Sequence, residues 1–231
     1  YSYQPLLRLY NQYPDRFEAA GVTLNDMFEG YAMETSDNFD LGSRLTPEWL
    51  VLAPAVFLSL HRNLLTSVYD SRVDLNYNQN VGEATGYGVE LEANFFLGDV
   101  LTVFINPTYT RLTYDEDLVF EGTPIEIEGN QVVDTPQWLL KAGVLLAYRG
   151  SEAVLAGKYM SERFGDVEHQ EKVEGHFVAD AGLGYAFHDV PIAEQLKLSL
   201  EIQNLFDTRY VSVLTASDYN REGVTGYYVG A

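Results

Sequence analysis

Between Leu196 and Ile202 every second residue is apolar (Leu196, Leu198, Leu200, Ile202), and Lys197, Ser199, Glu201 and Gln203 fill the alternate positions. Side chains on a strand point alternately to opposite faces, so this segment has one face fit for hydrocarbon and one fit for water. A soluble sheet can show such alternation. A wall with lipid on one side and a polar, water-filled interior on the other requires it. The same pattern recurs along the chain and predicts an all-β fold.

No stretch approaches the roughly 18 consecutive apolar residues of a membrane helix. A β-barrel crosses instead with strands of about 9–11 alternating residues and needs no apolar run. The 17 Tyr and 12 Phe supply the aromatic girdles such a barrel places at both interfaces. The balance of 14 Lys+Arg against 34 Asp+Glu, a net charge of −20, excludes a nucleic-acid partner, which needs clustered cations. With no Cys there is neither a disulfide framework nor a thiolate metal site.

Strands are expected at 36–46, 50–60, 73–97, 100–114, 131–149, 152–164, 173–187, 195–210 and 226–231, about ten with incomplete ones counted. In 73–97, Tyr87, Val89, Leu91, Ala93 and Phe95 oppose Gly88, Glu90, Glu92 and Asn94. In 131–149 an apolar stripe runs from Trp138 to Tyr148, an aromatic at each end. Pro54 sits awkwardly in its strand, because it cannot donate to a neighbour. Short turns at 46–48, 97–99 and 149–151 alternate with long connections at 6–34, 61–72, 115–130, 165–172 and 211–225. Within 6–34, Thr23 and Asp26 are spaced to cap a short helix carrying Leu24, Met27, Phe28 and Tyr31. A soluble β-sandwich shares the alternation; strand length and one-sided loops favour a transmembrane antiparallel barrel with long extracellular loops and short periplasmic turns.

Three motifs carry a family resemblance. Asn80 to Ala84, followed by Gly86 to Glu92, is similar to an N-x-G-x-A … G-x-E strand. Thr135 to Trp138 is similar to a T-P-x-x strand entry, and Asn204 to Tyr210 to an N-L-F-D-x-x-Y strand. In order and spacing they resemble the C-terminal part of a TonB-dependent outer-membrane receptor, with residues 1–79 fitting more loosely. The resemblance implies about the last ten strands of a 22-stranded barrel, with the N-terminal plug, the TonB-binding segment and the terminal residues outside this chain. The start at Tyr1, which shows no signal peptide, and the stop at Ala231 in a nascent strand fit that expectation.

The resemblance further implies energised uptake of a scarce nutrient, by family frequency a ferric siderophore, across the outer membrane of a Gram-negative bacterium. The implied partners are the TonB–ExbB–ExbD complex acting through the plug, a small-molecule ferric chelate, outer-membrane lipid and lipopolysaccharide. Neither cofactor nor catalysis is expected: no nucleophile elbow, P-loop or metal-spaced His pair appears, and carboxylates around a wide barrel lack catalytic geometry. Rival readings are a passive porin, a haem or other non-siderophore receptor, an autotransporter-like barrel and a soluble β protein.

Candidate ligand-binding residues are those that could meet an anionic chelate from the loops: Arg8, Tyr10, Tyr13 and Arg16 in the first long connection, and Arg221 in the last. His169 joins them as the loop histidine a haem iron would need. Girdle and headgroup roles are the ordinary alternative for the Tyr and Arg residues, and a solvated side chain for His169. The acidic run of Asp115, Glu116, Asp117, Glu121, Glu126 and Glu128 matches no EF-hand loop and reads as a solvated loop. No metal site is assigned. Leu140→Arg or Leu198→Arg on the lipid face is expected to cost about 2–4 kcal/mol if near the midplane, and Lys197→Gln in the lumen almost nothing.

Overall fold

The computed structural model describes residues 4–29, 31–70, 72–80, 82–120, 123–191, 193–215 and 226–230. Three short helices come first: α1 (Gln4–Gln12), α2 (Pro14–Ala20) and α3 (Leu24–Glu29). The strands begin with β1 (Thr35–Gly42), β2 (Leu50–Arg62), β3 (Leu65–Asp70), β4 (Leu75–Asn80), β5 (Ala84–Leu97) and β6 (Leu101–Tyr114). Next are β7 (Leu118–Phe120), β8 (Thr123–Ile125), β9 (Trp138–Tyr148), β10 (Ser151–Met160), β11 (Arg163–Phe164) and β12 (Lys172–Val173). The chain ends with β13 (His176–Val190), β14 (Ala193–Ile202), β15 (Tyr210–Thr215) and β16 (Gly226–Gly230).

Eight of these strands make one antiparallel sheet in the order β1-β2-β5-β6-β9-β10-β13-β14. It is not closed: β1 and β14 are its edges. Residues opposite one another in an antiparallel pair share a face, so the register sorts the side chains across the sheet. One row runs Phe95, Val103, Val144, Leu155, Ala181, Ile202, and the next toward the turns runs Leu97, Leu101, Leu146, Ala153, Leu183, Leu200. The opposite face carries Glu90, Thr108, Asn106, Lys141, Lys158 and Glu201. Among the described residues no second layer covers the apolar face, where Leu41, Leu183 and Leu200 are 75%, 63% and 61% exposed. An apolar face of this extent marks an interaction or membrane surface.

The ten-residue step from Trp138 to Tyr148 joins the two aromatic ends of β9. At about 3.3 Å per residue and a tilt of roughly 40°, it spans about 25 Å, the height of a barrel's apolar band. Turns at one end are short: Arg149 and Gly150 take φ of 49° and 83° between β9 and β10, and Gly98 takes 62° between β5 and β6. At the other end the connections carry hairpins of their own, β3–β4, β7–β8 and β11–β12.

Pro54 is tolerated because its backbone nitrogen points toward the end of β1. Its carbonyl accepts the Ser43 amide at 3.0 Å just beyond the last β1–β2 pair, Gly42 with Ala55. Gly143 answers a different need. The Phe104 ring opposite lies across it, so an added Cβ would stand 2.6 Å from a ring carbon and 2.8 Å from the Leu155 carbonyl. Gly143→Ala is expected to cost about 1–3 kcal/mol of overpacking, read as a lower urea midpoint of the full-length receptor; an unchanged midpoint would show that the ring yields freely.

The buried apolar clusters lie at the long-loop end. Leu6, Phe17, Val22, Met27 and Val73 bind the three helices to the β3–β4 hairpin. Ala84, Tyr114, Leu118, Ile127, Val132 and Val167 bind the other loops. Several expected boundaries shift accordingly. The 6–34 connection is helical from Gln4, because its apolar residues have a common core to fill. The expected 73–97 strand is two, β4 and β5, parted where Gly82 takes φ of 101°. The 131–149 strand starts only at Trp138, and 152–164 divides into β10 and β11. The 195–210 segment breaks at Asn204, whose side chain holds the backbone N–H and C=O of Thr208 in a turn. Residues 211–215, expected in a loop, continue β15, which pairs with β16.

Candidate functional site

The polar face and the long-loop end are where a ligand could be met. On the polar face, Arg44 pairs with Glu92 at 3.1 Å. Lys197 reaches Glu152 at 2.6 Å across β13, passing over Gly184. Lys141 and Lys158 differ: they are directly opposite on β9 and β10, and neither has an ion-pair partner among the described residues. Two ammonium groups held with Cβ atoms about 5 Å apart repel one another, and an anion between them would relieve that repulsion. Alternation along one strand cannot reveal this pair, because only the register sets the two lysines side by side.

The candidates in the first connection do not converge on an open site. Tyr10 packs on Phe17 with ring centroids 5.0 Å apart. Tyr13 lies under the Arg16 guanidinium, 5.3 Å from its ring centre. Arg16 in turn bonds the Asp74 carbonyl at 2.8 Å and its carboxylate at 3.4 Å. Arg8 is exposed on α1. Arg221 lies outside the described residues.

The capping expectation at Thr23 is met in full. Its hydroxyl accepts the Asp26 amide at 3.2 Å, and the Asp26 carboxylate accepts the Thr23 amide at 2.7 Å and hydroxyl at 2.8 Å. These bonds, the backbone one foremost, hold the Asp26 carboxyl below its ordinary range. The hairpin under the helices is braced by Asp70, fully buried, which accepts three bonds from Arg72 at 2.8–3.0 Å and one from the Tyr77 hydroxyl at 2.7 Å. Burial pushes the Asp70 carboxyl up, and the bonds from Arg72 and Tyr77 more than reverse this, leaving it below the carboxylate range. Burial and the Asp70 charge raise the Tyr77 phenol.

His169 lines a hollow of about 710 Å³ at the loop end, together with Arg111, Trp138, Tyr159 and Phe164. Its ring stacks on Phe164 at 3.7 Å, and its Nε2 lies 2.8 Å from the Gln131 carbonyl. A carbonyl only accepts, so Nε2 carries the hydrogen and is not available to an iron. Arg163 is buried, pairs with Asp134 at 2.9 Å and donates to the Val211 carbonyl at 2.6 Å. Burial raises the Asp134 carboxyl despite that guanidinium.

The described residues of the acidic run are all exposed, and two of them also brace the loop. Asp117 accepts the amides of Ile127 and Glu128, each at 2.9 Å, and Asp115 accepts the Thr85 hydroxyl at 2.7 Å. Glu121 lies outside the described residues. Among the described residues no group of three or more His, Asp or Glu side chains is arranged to hold a metal.

The motif residues fasten the rim. Asn80 accepts the Ala32 amide at 2.6 Å and donates to the carbonyls of Ala32 at 3.1 Å and Asn63 at 2.6 Å, tying the chain after α3 to the hairpin stem. The Gln137 carbonyl takes the Thr110 amide at 2.9 Å as β9 begins. Past the turn at Asn204, Tyr210 stacks on His176 at 4.4 Å.

A largely apolar face, a more polar face opposite and the described long connections gathered at one end have the form of a barrel wall. The chain belongs to the TonB dependent receptor-like, beta-barrel family, whose match covers residues 2–205. Pesticin receptors from Yersinia enterocolitica and Yersinia pestis are 25% identical to it over 184 residues, 78% of this chain and 25% of theirs. The chain thus spans about a quarter of the length of these curated relatives. The fold is shared with the ferric yersiniabactin uptake receptor FyuA from Yersinia pestis (TM-score 0.64, 23% identity, 85% of this chain and 28% of that one). It is also shared with the ferric citrate transporter FecA (TM-score 0.67, 19% identity, 94% and 31%).

Proposed function

We propose that this chain forms part of the barrel wall of an outer-membrane receptor that takes up an anionic ferric chelate, driven by TonB. The long-loop end then faces outside and the polar face lines the lumen. The reading is carried by the one-sided apolar sheet in a member of this family. Relatives named for ferric yersiniabactin and ferric citrate make a siderophore the first substrate to test, and the lumenal Lys141–Lys158 pair suits a carboxylate- or phenolate-bearing cargo. ExbB and ExbD are the inferred energising partners, and the plug lies elsewhere in the full-length protein.

The test is uptake of labelled ferric yersiniabactin and ferric citrate by cells whose only such receptor is the full-length protein. Accumulation of either chelate that disappears when TonB is disrupted is the expected result. Accumulation that survives without TonB would favour the porin reading. A double variant, K141Q with K158Q, is expected to raise the half-saturating chelate concentration about tenfold, the equivalent of one lost charge-assisted contact.

A further inference from the structure

We propose that Phe104, Lys141 and Lys158 select ferric chelates whose iron is held by aryl oxygens, phenolate or catecholate, over aliphatic ones. This deepens the reading of the protein as a receptor for an anionic chelate and rests on it. Phe104 alternates with Val103 and Ile105 and shares its face with Asn106, so it lies on the polar side of the sheet. It stands directly opposite Gly143, which is two residues from Lys141 on the same face of β9. Gly143 in turn faces Ala156, two residues from Lys158 on β10. The wall next to the two lysines is thus low on β9 and β10, and the Phe104 ring fills it.

Two ring carbons of Phe104 lie 2.6 and 2.7 Å from where a Cβ on Gly143 would stand. The half-buried ring is therefore laid across the strand, one face on the backbone and the other open to the lumen. An electron-rich aromatic ring can stack on that open face while the two ammonium groups take its anionic oxygens. The ammonium groups are also drawn to the face of such a ring. A citrate complex has charge for the lysines and nothing for the phenyl ring. A ferric tris-hydroxamate is uncharged and has no aromatic ring, so it suits neither.

The carboxylates of this face leave the lysine pair available. Glu92 is engaged by Arg44 and by the Asn94 side-chain amide, each at 3.1 Å. Asp180 accepts the Asn204 backbone amide at 2.8 Å. Glu90 lies on β5, with β6 between it and Lys141. Phe57 provides the internal comparison. Its ring lies over Gly88 in the same manner, but the residue opposite it on β1 is Asp40, not a cation. An anionic ring is attracted at Phe104 and repelled at Phe57.

The test is a fluorescence-quenching titration of the purified full-length receptor with ferric dihydroxybenzoylglycine (a catecholate), ferric citrate and ferric acetohydroxamate. Wild type is expected to bind the catecholate about tenfold more tightly than citrate, and the hydroxamate not measurably. Phe104→Leu is expected to weaken the catecholate about fivefold and leave citrate unchanged, which also reports that the variant is folded. Phe104→Tyr, which keeps a ring, should restore the catecholate. K141Q with K158Q should weaken both anions alike, and Phe57→Leu should change neither. Citrate bound as tightly as the catecholate, or Phe104→Leu acting on both anions or on neither, would overturn the aryl selection while uptake of an anionic chelate stands. Equal binding of all three probes, or binding of none, would overturn both readings together.

Discussion

Leu155→Arg is expected to destabilise the folded receptor by about 2–4 kcal/mol, against about 0–1 kcal/mol for Leu140→Arg. Both lie on the apolar face, yet at different depths. Leu155 stands midway along β10, four residues from Ser151 at the turn end and four from Tyr159 in the outer aromatic row. Leu140 sits directly opposite Tyr159 and two residues from Trp138, where an arginine can lift its charge to the headgroups. Its expected cost therefore drops below the midplane value that its apolar stripe alone suggests. Lys197→Gln, on the polar face, loses only a half-exposed ion pair with Glu152 and should stay within about 1 kcal/mol. Urea unfolding of the full-length receptor from lipid vesicles measures all three. If Lys197→Gln cost as much as Leu155→Arg, the assignment of the two faces would be refuted.

Asp70→Asn is expected to loosen the β3–β4 hairpin on which the helices pack, at a local cost of about 2–3 kcal/mol, because the buried acceptor of four hydrogen bonds loses its charge. Hydrogen exchange in α1–α3 should speed up while β9 and β10 stay protected. The pH dependence has a definite sign. The Asp70 carboxyl is lowered in the folded unit, so its stabilisation is complete above the unfolded value near 3.9 and is lost as pH falls through the lower folded value. Tyr77 is raised, so its contribution is complete below the unfolded value of about 10 and is lost as pH rises through its higher folded one. Protection of the helices should thus hold from about pH 4 to 10 and fall outside it. Unchanged exchange in Asp70→Asn at neutral pH would mean that the apolar cluster alone holds the unit.

Much of the wall is readable from alternation. The stripe from Trp138 to Tyr148 and the facing sets on β5 and β6 depend only on period two, a local property of a strand. The capping pair at Thr23 and Asp26 is equally local, its partners three residues apart. The candidate site is less legible. Tyr10, Tyr13 and Arg16 have the composition of a chelate site, but Phe17 and Asp74 engage them, and a contact 58 residues away leaves no mark at either end. His169 does stand at a cavity, as a loop ligand would, but the carbonyl that occupies its Nε2 comes from Gln131 in another connection.

Fold class, the two faces and the end at which the long loops gather are written locally in the chain, because alternation and turn chemistry act within a few residues. Two features arise only once the strands are paired: loops that fold on cores of their own, and Lys141 facing Lys158. They depend on the register between strands, which hydrogen bonds across the sheet set and no single strand encodes.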